Sequence, residues 1–138
     1  MCSYRDYVLN VEVEIDEIIN ARYVLVADLN QNNTSSCAII MKNPSKANKE
    51  ISDKTVNNVL EVAYNHGFSK VYILNLYSYY SPKVKDIKDL ILANTSEHLN
   101  RNNKVIADTM IHVNEVIVAW GTIQGSAELM KNYNNRIK

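Results

Sequence analysis

The chain is poor in the residues that mark special chain classes. Three glycines and two prolines in 138 residues leave no stretch with the composition of a flexible interdomain linker. The two cysteines, Cys2 and Cys37, are far apart and form no CxxC pair. They are too few for a disulfide scaffold and read as free thiols of a reducing compartment. No charge of either sign dominates: fifteen Lys and Arg balance fifteen Asp and Glu. A global field drawing the chain to nucleic acid or an anionic membrane is therefore excluded. No apolar run approaches the roughly 18 residues of a membrane span. Met1 is followed by Cys-Ser-Tyr-Arg-Asp rather than by a basic leader and apolar core, so a cytoplasmic location without membrane contact is expected. GxxxxGK and GxGxxG are absent, so the usual phosphate cradles are missing. His66, His98 and His112 show no metal-ligand spacing, and neither a metal nor a cofactor is expected.

What is present is an ordinary globular composition, 46% hydrophobic and 22% charged. It fits a single domain over residues 1–138 that is large enough to bury a core unaided. YVLNVEVEI alternates at Val11, Val13 and Ile15, which suggests a strand with one exposed face. ARYVLVADL supplies a second strand from Tyr23 to Leu29, and CAIIM a third. With the polar Gln-Asn-Asn-Thr-Ser-Ser between them, Tyr23 to Met41 read as a hairpin. CAIIM is apolar at every position and belongs in the middle of a sheet.

A helix is predicted from a cap at Ser52 or Asp53 through Asn65, with Val56, Val59, Leu60 and Ala63 on one stripe and Gly67 as its stop. KVYILNLYSYY then makes the strongest strand, rich in branched and aromatic residues. Strand, helix and strand with short links form a βαβ unit, expected to cross over right-handedly. After Pro82, Ile87, Leu90 and Ile91 suggest a short helix. A longer one spans roughly Arg101 to Met110, capped by Asn100 or Asn102, with Val105, Ile106 and Met110 inward. A strand from Val113 to Trp120 and a last helix with Ala127, Leu129 and Met130 complete an α/β pattern with a mostly parallel central sheet flanked by helices.

Ligands of such sheets sit beyond the C-terminal strand ends. Three ends carry polar chemistry. The first is Lys42-Asn43-Pro44-Ser45: a carboxamide, a stiffened backbone and a hydroxyl. The second is Asn75, a carboxamide between Leu74 and Leu76 that matches adjacent donor and acceptor atoms on a planar edge. Tyr77, Tyr79 and Tyr80 offer a stacking surface beside it. The third is Trp120-Gly121, where glycine permits a tight turn or a close backbone approach. Asp53 and Thr55 cap the first helix or favour an anion at its N-terminus. Purely structural roles remain open for all of these: Asn43 and Ser45 as turn caps, Asn75 as a partner of neighbouring loops, the tyrosines as packing. Cys37 lies at the wrong end of its strand for the rim. Glu12, Glu14, Asp16 and Glu17 read as a solvated acidic face.

The order of these pieces resembles the DUF1643 family. There an apolar strand leads into Asn-Pro-Ser, a helix begins near Asp-x-Thr, one strand ends in Asn-Leu and a later one in Trp-Gly. The likeness runs from about Ala38 to Gly121. More distantly, the layout is similar to the uracil-DNA glycosylase superfamily. That resemblance implies a three-layer fold and places Asn43 at a water-positioning, catalytic position, Asn75 at a base-reading position, and Gly121 at a structural strand end. Members of that superfamily often carry a late histidine; this sequence has none after His112.

The functional expectation is a protein that binds a nucleobase-like or nucleotide ligand, or a single-stranded nucleic acid, at the sheet rim, either as a divergent N-glycosidic hydrolase or as a binding or interaction protein. Asn43 is its candidate catalytic residue, and Asn75, Ser45, Lys42, Tyr77 and Gly121 are its candidate ligand contacts. Asparagine can position water but has no useful general-base pKa.

Overall fold

A computed structural model describes residues 2–17, 21–77 and 96–119. Five strands, β1 (Val8–Asp16), β2 (Ala21–Leu29), β3 (Ser36–Met41), β4 (Lys70–Asn75) and β5 (Glu115–Val118), form one sheet in the order β1-β2-β4-β3-β5. Helix α1 (Lys54–Asn65) lies between β3 and β4 in sequence, and α2 (Ser96–His112) precedes β5.

The sheet is mixed. β1 pairs antiparallel with β2, and β2 antiparallel with β4. Only β4 with β3 and β3 with β5 are parallel. This corrects the expected mostly parallel, three-layer arrangement of the glycosylase type: two helices flank a mixed sheet among the described residues. The physical reason lies in the connections. β1 and β2 are joined by the few residues between Asp16 and Ala21, too short for the crossover that parallel neighbours need. The twelve-residue α1 between β3 and β4 makes such a crossover, and these two strands run parallel as the βαβ reading requires.

The expected hairpin from Tyr23 to Met41 is also corrected, because β4 inserts between β2 and β3. An apolar run marks a strand but does not choose its neighbour. The polar connection from Asn30 to Ser35 is long enough to pass a strand spacing of about 5 Å twice. β3 does lie inside the sheet, between β4 and β5, with all six residues buried.

α1 forms where its stripe predicts. Asp53 caps it through Val56 N at 2.9 Å, and Val56, Leu60 and Ala63 are wholly buried. At the other end Gly67 takes φ +86°, while its N–H donates to Tyr64 O and that of Phe68 to Ala63 O. These two bonds are the Schellman pattern, which needs a left-handed residue at that place. α1 packs on one face of the sheet, against Leu25, Cys37, Ile39, Val71 and Ile73. Val105 and Ile106 of α2 pack with Ile40, Leu74 and Leu76 on the other face. α2 begins at Ser96, so Asn100 and Asn102 lie inside it rather than capping it, and Met110 is 45% exposed rather than inward. The expected short helix near Ile87, the end of the last strand at Trp120 and the final helix lie outside the described residues.

Candidate functional site

Because β3, β4 and β5 share one direction, their C-terminal ends form one rim. Met41 is the register partner of Asn75, and Ala119 N donates to Ile40 O at 2.8 Å. The pairing continues past the strand ends, with Leu76 N donating to Met41 O and Tyr77 N to Lys42 O. The start of the Lys42–Ser45 loop therefore lies beside the end of β4 at Leu76 and Tyr77. Gly121, Trp120, Tyr79 and Tyr80 lie outside the described residues.

Asn75 is wholly buried. Its register partner Met41 and its alternate neighbours Val71 and Ile73 belong to the core on the α1 side, so its side chain projects there too. Neither Oδ1 nor Nδ2 has a partner among the described residues. Leaving such groups buried and unbonded costs about 1–3 kcal/mol. A pairing of Asn75 with Asn43 is not made. Ser45 Oγ is likewise sealed from solvent with no partner among the described residues, while Asn43 and Lys42 are half-buried. Tyr77 is buried in the core on the α2 side, across the sheet from the Asn75 carboxamide.

A residue that sequence reasoning missed sits under this loop. Arg22 is wholly buried, and its Nη1 donates to Ala47 O at 2.7 Å and to Ser45 O at 3.3 Å. It gets there through an irregularity in β2. Glu14 pairs with Val24 and Ile15 with Arg22, so Tyr23 is left over. Strict alternation with Leu25 and Ala27 would aim Tyr23 at α1. The shift instead places the Tyr23 ring 4.3 Å from the guanidinium of Arg101 on α2, and frees Arg22 for the α1 side. Burial pushes the Tyr23 phenol pKa up, with Arg101 opposing the shift. The detectable signal was an arginine inside an apolar strand.

Asp53 Oδ2 accepts from Ala47 N at 3.0 Å while Oδ1 caps α1. Its carboxylate thus fills the helix N-terminus, and Thr55 lies exposed on the first turn. From the α2 side, Asn102 donates to the carbonyls of Asn75 and Leu76. Glu12, Glu14 and Glu17 are exposed, as a solvated acidic face requires, and Arg101 contacts Glu14 at 3.2 Å and Asp16 at 3.6 Å. Cys37 is buried away from the rim, its thiol pushed up to about 12 by burial and then by Glu115. Among the described residues no cluster of metal-ligating side chains occurs, and no helix is long and apolar enough to cross a membrane.

A concavity of about 440 Å³ lies at the opposite rim, among Asp28, Ser36, Ser69, Lys70, Tyr72 and His112. Several of its polar groups are already engaged: Lys70 with Asp28, Ser69 Oγ with Ser35 O, and Ser36 Oγ with Asn114 Oδ1. The C-terminal rim instead holds buried polar atoms of Asn75 and Ser45 without partners among the described residues, which makes it the better candidate.

Fold and site together define an α/β protein with buried polar groups of Asn75 and Ser45 at the rim of the parallel half of a mixed sheet. The sequence pattern of the family described as protein of unknown function (DUF1643) matches residues 22–138, and the chain belongs to that family. No curated protein and no solved structure matches it. The likeness to uracil-DNA glycosylases therefore finds no support, and the mixed sheet runs against it. The nucleobase pocket drawn from that likeness falls with it.

Proposed function

We propose that the protein binds a small ring compound carrying an amide, imide or ureide edge at the C-terminal rim of β3 and β4, with Asn75 reading that edge. The supporting observation is the Asn75 carboxamide, wholly buried with both polar atoms unpartnered among the described residues. Oδ1 and one Nδ2 proton lie side by side. Their complement is a donor next to an acceptor in cis, as a lactam or cyclic ureide presents. A trans peptide bond holds those groups on opposite sides, and a carboxylate offers no donor, so neither completes the pair.

Ser45 Oγ and the Asn43 carboxamide add adaptable donors and acceptors from the loop, and Lys42 lies at its start. Arg22 and Asp53 hold the loop in place. Asn43, Ser45 and Asn75 have no proton to exchange near neutral pH, so their contribution is binding and orientation. A small molecule is favoured over a nucleic-acid strand because the carboxamide is sealed inside and the chain carries no net charge.

The experiment is an NMR titration of the ¹⁵N-labelled chain with 2-pyrrolidinone, succinimide, hydantoin, acetate and a short oligodeoxynucleotide. Movement of the Asn75 side-chain resonances with ring amides but not with acetate supports the reading. No response to any ring compound, or a response to the oligonucleotide alone, overturns it.

A further inference from the structure

Asparagine is an unfavourable residue for a buried helix interior, because its short amide competes for backbone groups. Asn102 nevertheless sits on the inward stripe of α2, only 1% exposed, with Val105 and Ile106 packed on the core one turn later. Its Nδ2 donates to Asn75 O at 3.0 Å and to Leu76 O at 3.2 Å. Successive carbonyls of an extended strand point to opposite edges, so one amide reaches both only where the chain turns. β4 ends at Asn75, and the chain bends over Leu76 and Tyr77.

The orientation of the Asn102 amide is determined. Turned over, Oδ1 would face two acceptors; as placed, it is buried and unpartnered among the described residues. Across the same bend, the N–H groups of Leu76 and Tyr77 donate to β3 and its loop. The end of β4 is thus held from two directions, with the Asn75 side chain carried on the captured segment. Packing alone asks only for an apolar side chain at position 102. Double donation into the bend is an additional feature, and it bears on Asn75.

We propose that Asn102 is the positioning residue of the rim site: by gripping both carbonyls of the β4 bend, it fixes where the buried Asn75 carboxamide stands and keeps its polar atoms placed for a ligand. This rests on the ring-amide reading of Asn75. Asn102 acts through the backbone and does not itself touch the ligand.

The test compares ¹⁵N-labelled wild type with Asn102→Leu and Asn102→Gln. It reads the Asn75 side-chain resonances, solvent exchange of the Asn102 amide protons in the wild type, and titration with 2-pyrrolidinone. Protected Asn102 protons are expected. So are displaced or broadened Asn75 resonances and at least tenfold weaker binding in a folded Asn102→Leu, with partial recovery in Asn102→Gln. A folded Asn102→Leu whose Asn75 resonances and affinity match the wild type overturns the proposal. So do wild-type Asn102 protons that exchange as fast as those of an exposed amide, a measurement that decides the matter if Asn102→Leu fails to fold. Failure of the wild type to bind any ring amide, with Asn75 resonances still displaced in Asn102→Leu, refutes the ligand reading and leaves the positioning of Asn75 standing.

Discussion

Arg22 on β2 and Ala47 in the loop after β3 are joined by a 2.7 Å hydrogen bond from Nη1 to the carbonyl oxygen, across 25 positions of sequence. β2 and β3 are not neighbours in the sheet, yet this bond lets the first anchor the loop of the second. The loop that carries Asn43 and Ser45 is held by that anchor and by the bond from Ala47 N to Asp53 Oδ2.

Arg22→Met removes donors to two loop carbonyls and leaves Ala47 O without the bond that Arg22 now gives it. Charge-assisted bonds of this kind contribute about 1.5–3 kcal/mol each, and the one to Ser45 O at 3.3 Å is the weaker, so a loss of at least about 2 kcal/mol is expected. Urea unfolding measures it directly. Arg22→Lys should recover only part, since a lysine ammonium does not reproduce the planar fork. A midpoint unchanged in Arg22→Met would show that the loop is held by other contacts.

Asn75→Leu keeps the branching of the side chain and removes both polar atoms, which have no partner among the described residues. If Asn75 serves a ligand at the expense of stability, the variant is more stable than wild type by about 1–3 kcal/mol and no longer binds ring amides. Thermal denaturation and the 2-pyrrolidinone titration read the two effects separately. A fall in Tm would mean that the carboxamide is satisfied inside the folded protein, and its ligand role would lose its main support.

Asp53→Ala deletes the cap of α1 and the bond to Ala47 N together. An N-cap alone is worth about 0.5–2 kcal/mol, and the second bond places the expected loss at the upper end. Asp53→Asn keeps an acceptor for Val56 N and should lie between. Equal stability of Asp53→Asn and Asp53→Ala in chemical denaturation would contradict this assignment.

The Cys37 thiol is raised from its ordinary 9.0 to about 12 by burial, so the folded state holds this proton where the unfolded chain releases it. Below about pH 9 the contribution is complete. Above that it declines as pH rises toward about 12, by up to about 1.4 kcal/mol per pH unit. Unfolding midpoints at pH 8 and pH 10 should therefore differ less in Cys37→Ala than in wild type. Iodoacetamide at pH 8 should label exposed Cys2 and spare Cys37 in the folded protein.

Local pattern was legible wherever a single element decides the outcome. The stripe Val56, Leu60, Ala63 and the glycine at 67 specified α1 and its stop, because helix period and a left-handed cap are properties of consecutive residues. The unbroken apolar run of CAIIM placed β3 inside a sheet for a similar reason: a strand covered on both faces cannot alternate. Met110 was misplaced because α2 turns that position toward solvent, which its hydrophobicity does not reveal. Arg22 and Asn102 were missed as site residues. A buried arginine is intelligible only once carbonyl acceptors from another loop stand beside it, and an asparagine within a helix only once a bent strand end is its partner.

The sequence by itself determined the strands, the capped helix, the βαβ unit and the presence of two carboxamides at the ends of β3 and β4, since periodicity, turn chemistry and residue type are local. Only the tertiary structure decided that β4 separates β2 from β3, that the sheet is mixed, that a register shift at Tyr23 sends Arg22 beneath the loop, and that the Asn75 carboxamide is buried with no partner among the described residues. Each of these depends on which distant segment supplies a hydrogen-bond partner or a covering face. The physical reason is that backbone and side-chain polar groups accept any partner of suitable geometry, so their pairing is settled by the packing of the whole and not by the residues next to them.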